Sequence, residues 1–169
     1  MRRGMGFQPM CPRAFQALVG TARMLTPMPV EIRPYDPPDR ESVVAVWRAA
    51  GLVRPVNDPY RDIDRKLAVD PAGFLVALDG GKIVGTVMAG YDGHRGWINY
   101  MGVDPSHHRQ GVGRALIEAA LTLLRTRGCP KVNLQVFRAN QGAVEFYGSL
   151  GFVEDNVMSM GFRLVNDEE

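Results

Sequence analysis

The chain of 169 residues has two cysteines, three histidines and no carboxylate before Glu31. Each scarcity excludes something. Cys11 and Cys129 have no metal-ligand spacing, so neither a disulfide framework nor a zinc site is readable, and no metal is expected. Cys129, in the run RGCPKV, reads as a small buried residue entering a strand. Such sparing cysteine use suits a reducing cytoplasm. No stretch approaches the length of uninterrupted apolar sequence that crosses a bilayer, so no membrane partner is expected. Basic residues are not interleaved with aromatics, as a nucleic-acid platform requires, so nucleic acid is not an expected partner either. Internal repeats and low-complexity segments are also missing.

The lack of acid before Glu31 has a second consequence. Arg2, Arg3, Arg13 and Arg23 lie in that stretch, and without them 16 basic residues face 18 acidic ones. The formal charge of +2 is therefore owed to the first thirty residues and says nothing about partners. Transit peptides share an acid-free, arginine-bearing composition. Here, though, Gln16, Gly20 and Arg23 break the apolar run, which argues against a secretory signal. A disordered extension, or a start called too early ahead of Met28, is favoured over targeting. We expect residues 1–29 to be an extension and residues 30–169 to form one domain, which is what this length supports.

What is present then alternates between two periods. VEIRPY (30–35) reads as an edge strand. Two helices follow, the first with Asp39 as N-cap, Val43, Val46, Trp47 and Ala50 on one face, and Gly51 as stop. The second opens with Asp58 as cap and Pro59 at the first helical position, with Ile63 and Leu67 facing inward. FLVALD and KIVGTVMAGY flank Gly80–Gly81, a hairpin signal, and DGHRG turns the chain into WINYMGV, giving an antiparallel meander. A long helix starting near Gln110 carries Val112, Ala115, Leu116, Ala119, Leu123 and Leu124 on one face and ends at Gly128 and Pro130. KVNLQVF reads as a strand. A short helix follows from Asn140, with Ala143, Val144, Tyr147 and Leu150 inward, and a strand pair around 152–155 and 158–164 closes the sheet. The order β-α-α-β-β-β-α-β-α-β-β predicts a mixed α/β fold.

The junction PSHHRQGVGRAL (105–116) is where the chemistry concentrates. A strand ending at Val103, a loop and a helix N-terminus converge backbone N–H groups and a dipole suited to phosphate. Gly111 and Gly113 allow close approach, and Arg109 and Arg114 can add charge. A P-loop would need Gly-Lys-Ser/Thr where Gly-Arg-Ala stands, and a dinucleotide fingerprint would need glycine in place of Leu116. Alone, the two glycines could equally mark an ordinary loop-to-helix junction.

They do not stand alone. V-D-P-x-x-x-R-Q-G-V-G-R-A-L, followed by N-Q-G-A-V-E-F-Y-G-S-L-G-F from Asn140, resembles the GNAT superfamily of acyl-CoA N-acetyltransferases over residues 30–165. RPVNDPYRDIDRKL, GTVMAGYDGHRG and RGCPK are similar to its small bacterial YpeA-like subgroup. The resemblance implies a central, mostly antiparallel mixed sheet flanked by helices, with acetyl-CoA as acyl donor and a small-molecule or peptide amine as acceptor. It also implies that Met101, Gly102 and Val103 lie on the strand that pairs with the pantetheine arm. Arg109, Gln110, Gly111, Val112, Gly113 and Arg114 would cradle the pyrophosphate. Asn140 would contact the cofactor, and Tyr147 would be the acid that protonates the departing thiolate. Dimers are common in the family, so a homodimer fits, although no interface is legible.

Two positions depart from the pattern. His108 stands where the motif usually has Arg or Gln, and we read His107 and His108 as solvated loop residues. Gln135 stands where enzymes acting on ribosomal-protein N-termini carry a glutamate base, which argues against that acceptor class. A neutral amine must attack, and an alkyl amine with a reference pKa near 10.4 arrives protonated, so a base or water chain is needed. Asp92 and His94 read better as turn residues. Asn99 and Tyr100 are other candidates, and Asp58, Asp62 and Asp64 are interleaved with Arg61, Arg65 and Lys66 as on a salt-bridged helix face. An acyl-CoA-binding sensor without turnover is the alternative from another class. Tyr147 favours the enzyme and Gln135 the sensor.

Overall fold

The computed structural model describes residues 30–167, so the expected extension at 1–29 lies outside the described residues. Five strands, β1 (Glu31–Pro34), β2 (Phe74–Asp79), β3 (Lys82–Tyr91), β4 (Gly96–Val103) and β5 (Val132–Leu134), form one sheet in that order. The first four pair antiparallel and β5 joins β4 in parallel. Gly80 and Gly81, both at positive φ, close the β2–β3 hairpin as their sequence requires.

Helices cover both faces. On one lie α1 (Arg40–Ala49) and α2 (Pro59–Val69), whose Val43, Val44, Val46, Trp47 and Ile63 are buried against Phe74, Val76 and Met88. The Asp58 carboxylate accepts from the Tyr60 N–H and starts α2, as expected of that cap. Asp39 precedes α1 but does not cap it. Its carboxylate instead receives Arg33 at 2.6 and 2.8 Å and the Asp36 N–H. On the other face lie α3 (Val112–Thr126) and α4 (Gln141–Ser149). The buried stripe of α3 is Val112, Leu116, Ile117, Ala120 and Leu124. The face read from the sequence lacks Ile117 and Ala120, and its Ala115, Ala119 and Leu123 are only partly buried. Among the described residues no helix is long and apolar enough to cross a membrane.

The fold class is that expected, with one correction at the C-terminal end. β5 stops at Leu134 instead of running through Phe137, and residues 152–155 and 158–164 form no strands. With no ladder partner at hand, this segment is fixed by side chains. Lys131 pairs with Asp155, Arg138 with Glu154, and Arg163 donates to Asn57. Met158, Met160, Phe162 and Leu164 are all more than 85% exposed.

Candidate active site

The site is built on β4. This strand pairs with β3 along its length, but with β5 only where Gly96, Trp97 and Ile98 face Val132, Asn133 and Leu134. From Asn99 to Val103 the edge that faces β5 has no strand partner among the described residues. Two carbonyls of this stretch are met by side chains, that of Tyr100 by Thr86 and that of Val103 by His108. The main-chain groups left over must find water or a ligand, and an extended amide-bearing chain fits them as a strand would. Opposite this edge the β3–β4 register slips between Thr86 and Met88, so that two residues, Tyr100 and Met101, share the place opposite Val87. Tyr100 has φ 47, unusual for a residue with a side chain. Met101 packs with the α3–α4 layer and Tyr100 with the α1–α2 layer.

β4 runs straight into the glycine loop. Asp104 accepts from the Ser106 N–H, a 3-10 turn spans Pro105–His107, and Arg109 and Gly111 take left-handed backbone conformations before α3 begins. The helix thus starts at Val112 instead of near Gln110. Ala115 is the first N–H to reach back, to the Gly111 carbonyl at 3.0 Å, which leaves the N–H groups of Val112, Gly113 and Arg114 without intrahelical partners. The two glycines serve different needs. A side chain on Gly111 would meet nothing within 4 Å, so its φ of 88 is what demands glycine. A Cβ on Gly113 would lie 3.1 Å from Phe146 Cζ and 3.2 Å from Met101 Cε, so Gly113 is where α3 closes on α4 and β4. The side chains of Arg109 and Gln110 lie on the exposed outside of the loop, with Gln110 donating to the Ser106 carbonyl, and Arg114 stands 3.7 Å from Glu118.

His107 and His108 lie in the loop as read, His108 exposed and His107 partly buried, but both rings have partners. His108 Nε2 lies 3.0 Å from the Val103 carbonyl and so ties the loop to the end of β4. His107 sits between Asp79, at 3.4 Å, and the Ser106 hydroxyl, at 2.9 Å. The position that lacks the usual Arg or Gln is therefore used to hold the main chain in place. The reason is tertiary, because only the approach of the Val103 carbonyl gives this ring a partner.

α4 supplies the remaining candidates. Asn140 Oδ1 accepts from the Ala143 N–H at 3.1 Å and caps the helix, so its amide NH2 and the second lone pair of that oxygen are left for a ligand. Tyr147 meets Phe146 and Phe152 edge-on, at 5.0 and 5.6 Å between ring centres, and burial pushes its phenol up to about 12. Gln135 lies past the end of β5 and donates to the Ser159 hydroxyl. The contacts at Gly113 thus bring the loop, Met101 of β4 and Phe146 of α4 to one point, with Tyr147 next in sequence.

Polar groups gather across the sheet. The Tyr100 hydroxyl donates to Asp62, which also receives Asn57 and Arg65, and Arg65 reaches Asp167 at 2.5 and 2.8 Å. Burial first, and the Asp62 carboxylate second, hold the Tyr100 phenol well above its ordinary range. The α2 face is salt-bridged as read: Asp64 pairs with Arg40, Asp58 lies 3.9 Å from Arg61, and Lys66 binds Asp70. Asp92 is a turn residue, accepting from the His94 and Arg95 N–H groups at 2.7 Å each. Sequence reasoning passed over Thr86 and placed Trp47 only in the core, yet both meet Tyr100 beneath the bulge. A lone hydroxyl in the apolar run IVGTVMAG was the available signal.

A domain with this sheet, its splayed β4–β5 edge and its glycine loop can be placed by comparison. Residues 40–152 match the model of the acetyltransferase (GNAT) family. The chain is 44% identical over 141 residues to acetyltransferase SG1711 of Sodalis glossinidius, covering 83% of this chain and 99% of that protein. The chain belongs to the GNAT family and is an acetyltransferase of that type. Among solved structures, Ard1 from Thermoplasma volcanium superposes with a TM-score of 0.64 at 29% identity, over 73% of this chain and 82% of that one. The structure of AAC(6')-Iy in complex with the bisubstrate analog CoA-S-monomethyl-acetylneamine gives a TM-score of 0.67 over 81% of this chain and all of that one. Its 19% identity speaks to fold alone.

Proposed function

We propose that this chain moves an acetyl group from acetyl-CoA to the primary amine of a small-molecule or peptide acceptor in the cytoplasm. The observation that carries the reading is the continuity of two unpaired main-chain surfaces. Along the edge of β4 beyond its last β5 pair, Asn99–Val103, the carbonyls of Tyr100 and Val103 are taken by Thr86 and His108, and the other groups have no strand partner on that side among the described residues. This edge leads within one loop to the three N–H groups of Val112, Gly113 and Arg114. Together they suit a ligand with an amide-bearing arm at one end and a pyrophosphate at the other. Acetyl-CoA has both, and when bound it supplies an electrophilic thioester carbonyl.

In this reading Met101, Gly102 and Val103 hold the arm, and a β4 N–H receives the oxyanion that develops on the carbonyl. Arg109, Gln110, Gly111, Val112, Gly113 and Arg114 surround the pyrophosphate, with the backbone N–H groups of Val112–Arg114 as principal donors. The amide NH2 of Asn140 reaches the arm as it passes α4. Tyr147 donates to the leaving sulfur. With its phenol at about 12 it stays protonated throughout the neutral range, the form a donor needs. Full transfer to a thiolate of reference pKa 8.5 would be uphill by about 5 kcal/mol, at 1.36 kcal/mol per unit. The burial that raises the phenol also raises a thiol held beside it, which narrows that gap.

The test is CoA release from acetyl-CoA against polyamines, aminoglycosides, amino acids and lysine- or N-terminus-bearing peptides. Turnover with one class, reduced about a hundredfold or more in Tyr147→Phe with unchanged acetyl-CoA binding, is expected. Turnover undiminished in that variant would remove Tyr147 from the mechanism. Tight acetyl-CoA binding without turnover across the panel would overturn the amine-transfer reading.

A further inference from the structure

Thr86 lies in the middle of β3 with none of its surface exposed, between residues that are otherwise apolar. Its hydroxyl is 2.8 Å from Trp47 Nε1 and 2.9 Å from the Tyr100 carbonyl. An indole N–H can only donate, so the Thr86 oxygen accepts there and its single hydrogen is committed to the carbonyl of Tyr100. The carbonyl of a strand residue ordinarily meets the N–H of a neighbouring strand. At the β4 bulge it is met instead by a side chain from the α1–α2 face.

This fixes more than one oxygen. In a trans peptide the C=O and N–H of the linked residues are antiparallel. Drawing the Tyr100 carbonyl toward the Trp47 layer turns the Met101 N–H away from it, toward the face that carries α3 and α4. On that face the Met101 side chain meets Gly113, and α4 brings Phe146 and Tyr147. The positive φ of Tyr100 is a strained conformation that persists only when its surroundings over-determine it. The surroundings do so from three sides. Thr86 holds the carbonyl, the Trp47 ring stacks on the Tyr100 ring at 4.0 Å, and Asp62 holds the hydroxyl.

We infer that Thr86 and Trp47 are positioning residues for acetyl transfer, clamping the Tyr100–Met101 peptide so that the Met101 N–H is aimed at the thioester carbonyl. This rests on the acetyl-CoA reading above and adds to it the side chains that hold the peptide in place. A buried hydroxyl that accepts from an indole must still place its own hydrogen, and here the acceptor is the carbonyl of the strained peptide at the edge of β4.

Thr86→Val keeps the side-chain shape and removes the hydrogen bonds, and Thr86→Ser keeps the hydroxyl. Trp47→Phe is the second route, removing the indole donor while retaining a ring beneath Tyr100. The full chain, labelled with 15N, is titrated with acetyl-CoA, and kcat and KM are measured with the amine found in the panel, well below each variant's melting temperature. In the wild type and Thr86→Ser, the amides of Met101 and of Val112–Arg114 should all move. In Thr86→Val the loop amides should still move while the Met101 response is lost, and kcat should fall about tenfold to a hundredfold with KM for acetyl-CoA little changed. Trp47→Phe should show the same pattern more weakly. A Met101 response and kcat unchanged in folded Thr86→Val would refute the clamp alone. Silence of Met101 and the loop amides together in the wild type would refute the acetyl-CoA reading, and the clamp with it.

Discussion

Asp70 offers the sharpest test of how the two helical layers are held around the sheet. It ends α2 and receives Arg127, just past α3, through two parallel bonds of 2.8 and 2.9 Å. It also receives Lys66 at 2.9 Å and the Gly73 N–H at 3.1 Å, while Lys66 bonds the Ala89 carbonyl at the end of β3. One carboxylate thus joins α2, β3 and α3 from opposite faces. The Arg127 guanidinium, and then Lys66, bring its pKa from 3.8 down to about 2. At 1.36 kcal/mol per unit, and reduced for the fifth of its side chain still in solvent, that difference is worth about 1–2 kcal/mol of stability. A carboxylate with a depressed folded-state pKa stabilises above its unfolded value and loses the contribution as pH falls toward the folded one. The full stabilisation is therefore present above about pH 4 and fades between pH 4 and 2. Asp70→Asn should cost at least this much at pH 7 in urea unfolding. The gap between variant and wild type should then narrow through pH 4, 3 and 2.5. Other depressed carboxylates, such as Asp39 beside Arg33, titrate in both proteins and cancel in the difference. A gap that stays constant from pH 5 to 2.5, or no gap at pH 7, would refute the assignment.

The glycine loop and the C-terminal segment give further expectations. Gly111→Ala meets no atom but must adopt φ 88, so it should destabilise by about 1 kcal/mol and weaken acetyl-CoA binding modestly by isothermal titration calorimetry. Gly113→Val must displace Phe146 and Met101 and should cost tenfold or more in the same titration; equal effects at the two positions would contradict their separate roles. Brief peroxide treatment followed by peptide mass spectrometry should oxidise Met158 and Met160 well before Met88, which is only 6% exposed. Protection of the first two would mean that the closing segment lies against something in solution.

Features set by local chemistry were legible in the sequence. Asp58-Pro59 starts α2, Gly80–Gly81 closes the hairpin, and the change of period at Phe74 marks where helices give way to strands. Alternation was a weaker guide at the C-terminal end. Met158, Met160, Phe162 and Leu164 alternate as strand residues do, but alternation specifies two faces and says nothing about whether a neighbouring strand is there to pair with. Because β5 ends at Leu134, the ladder has nowhere to continue, and Lys131, Arg138 and Arg65 fix the segment through Asp155, Glu154 and Asp167.

The candidate site divides along the same line. Its main-chain half was readable, because a glycine that must take positive φ and a helix that must begin beside it leave a fixed pattern at Gly111 and Val112. The side chains that brace the β4 bulge beside it were not. Thr86 is 39 residues from Trp47 and 14 from Tyr100, and Asp62 is 38 residues from Tyr100. No local propensity links residues so far apart. Their partnership depends on the one-residue slip between β3 and β4, and a slip belongs to two strands together, so neither strand's sequence contains it alone. The same argument explains His108. Its difference from the motif is visible in sequence, but its use becomes defined only where the end of β4 presents the Val103 carbonyl to the ring. A surface made of backbone can thus be recognised from the residues that permit its shape. The side chains that brace it are found only after the strands have been paired.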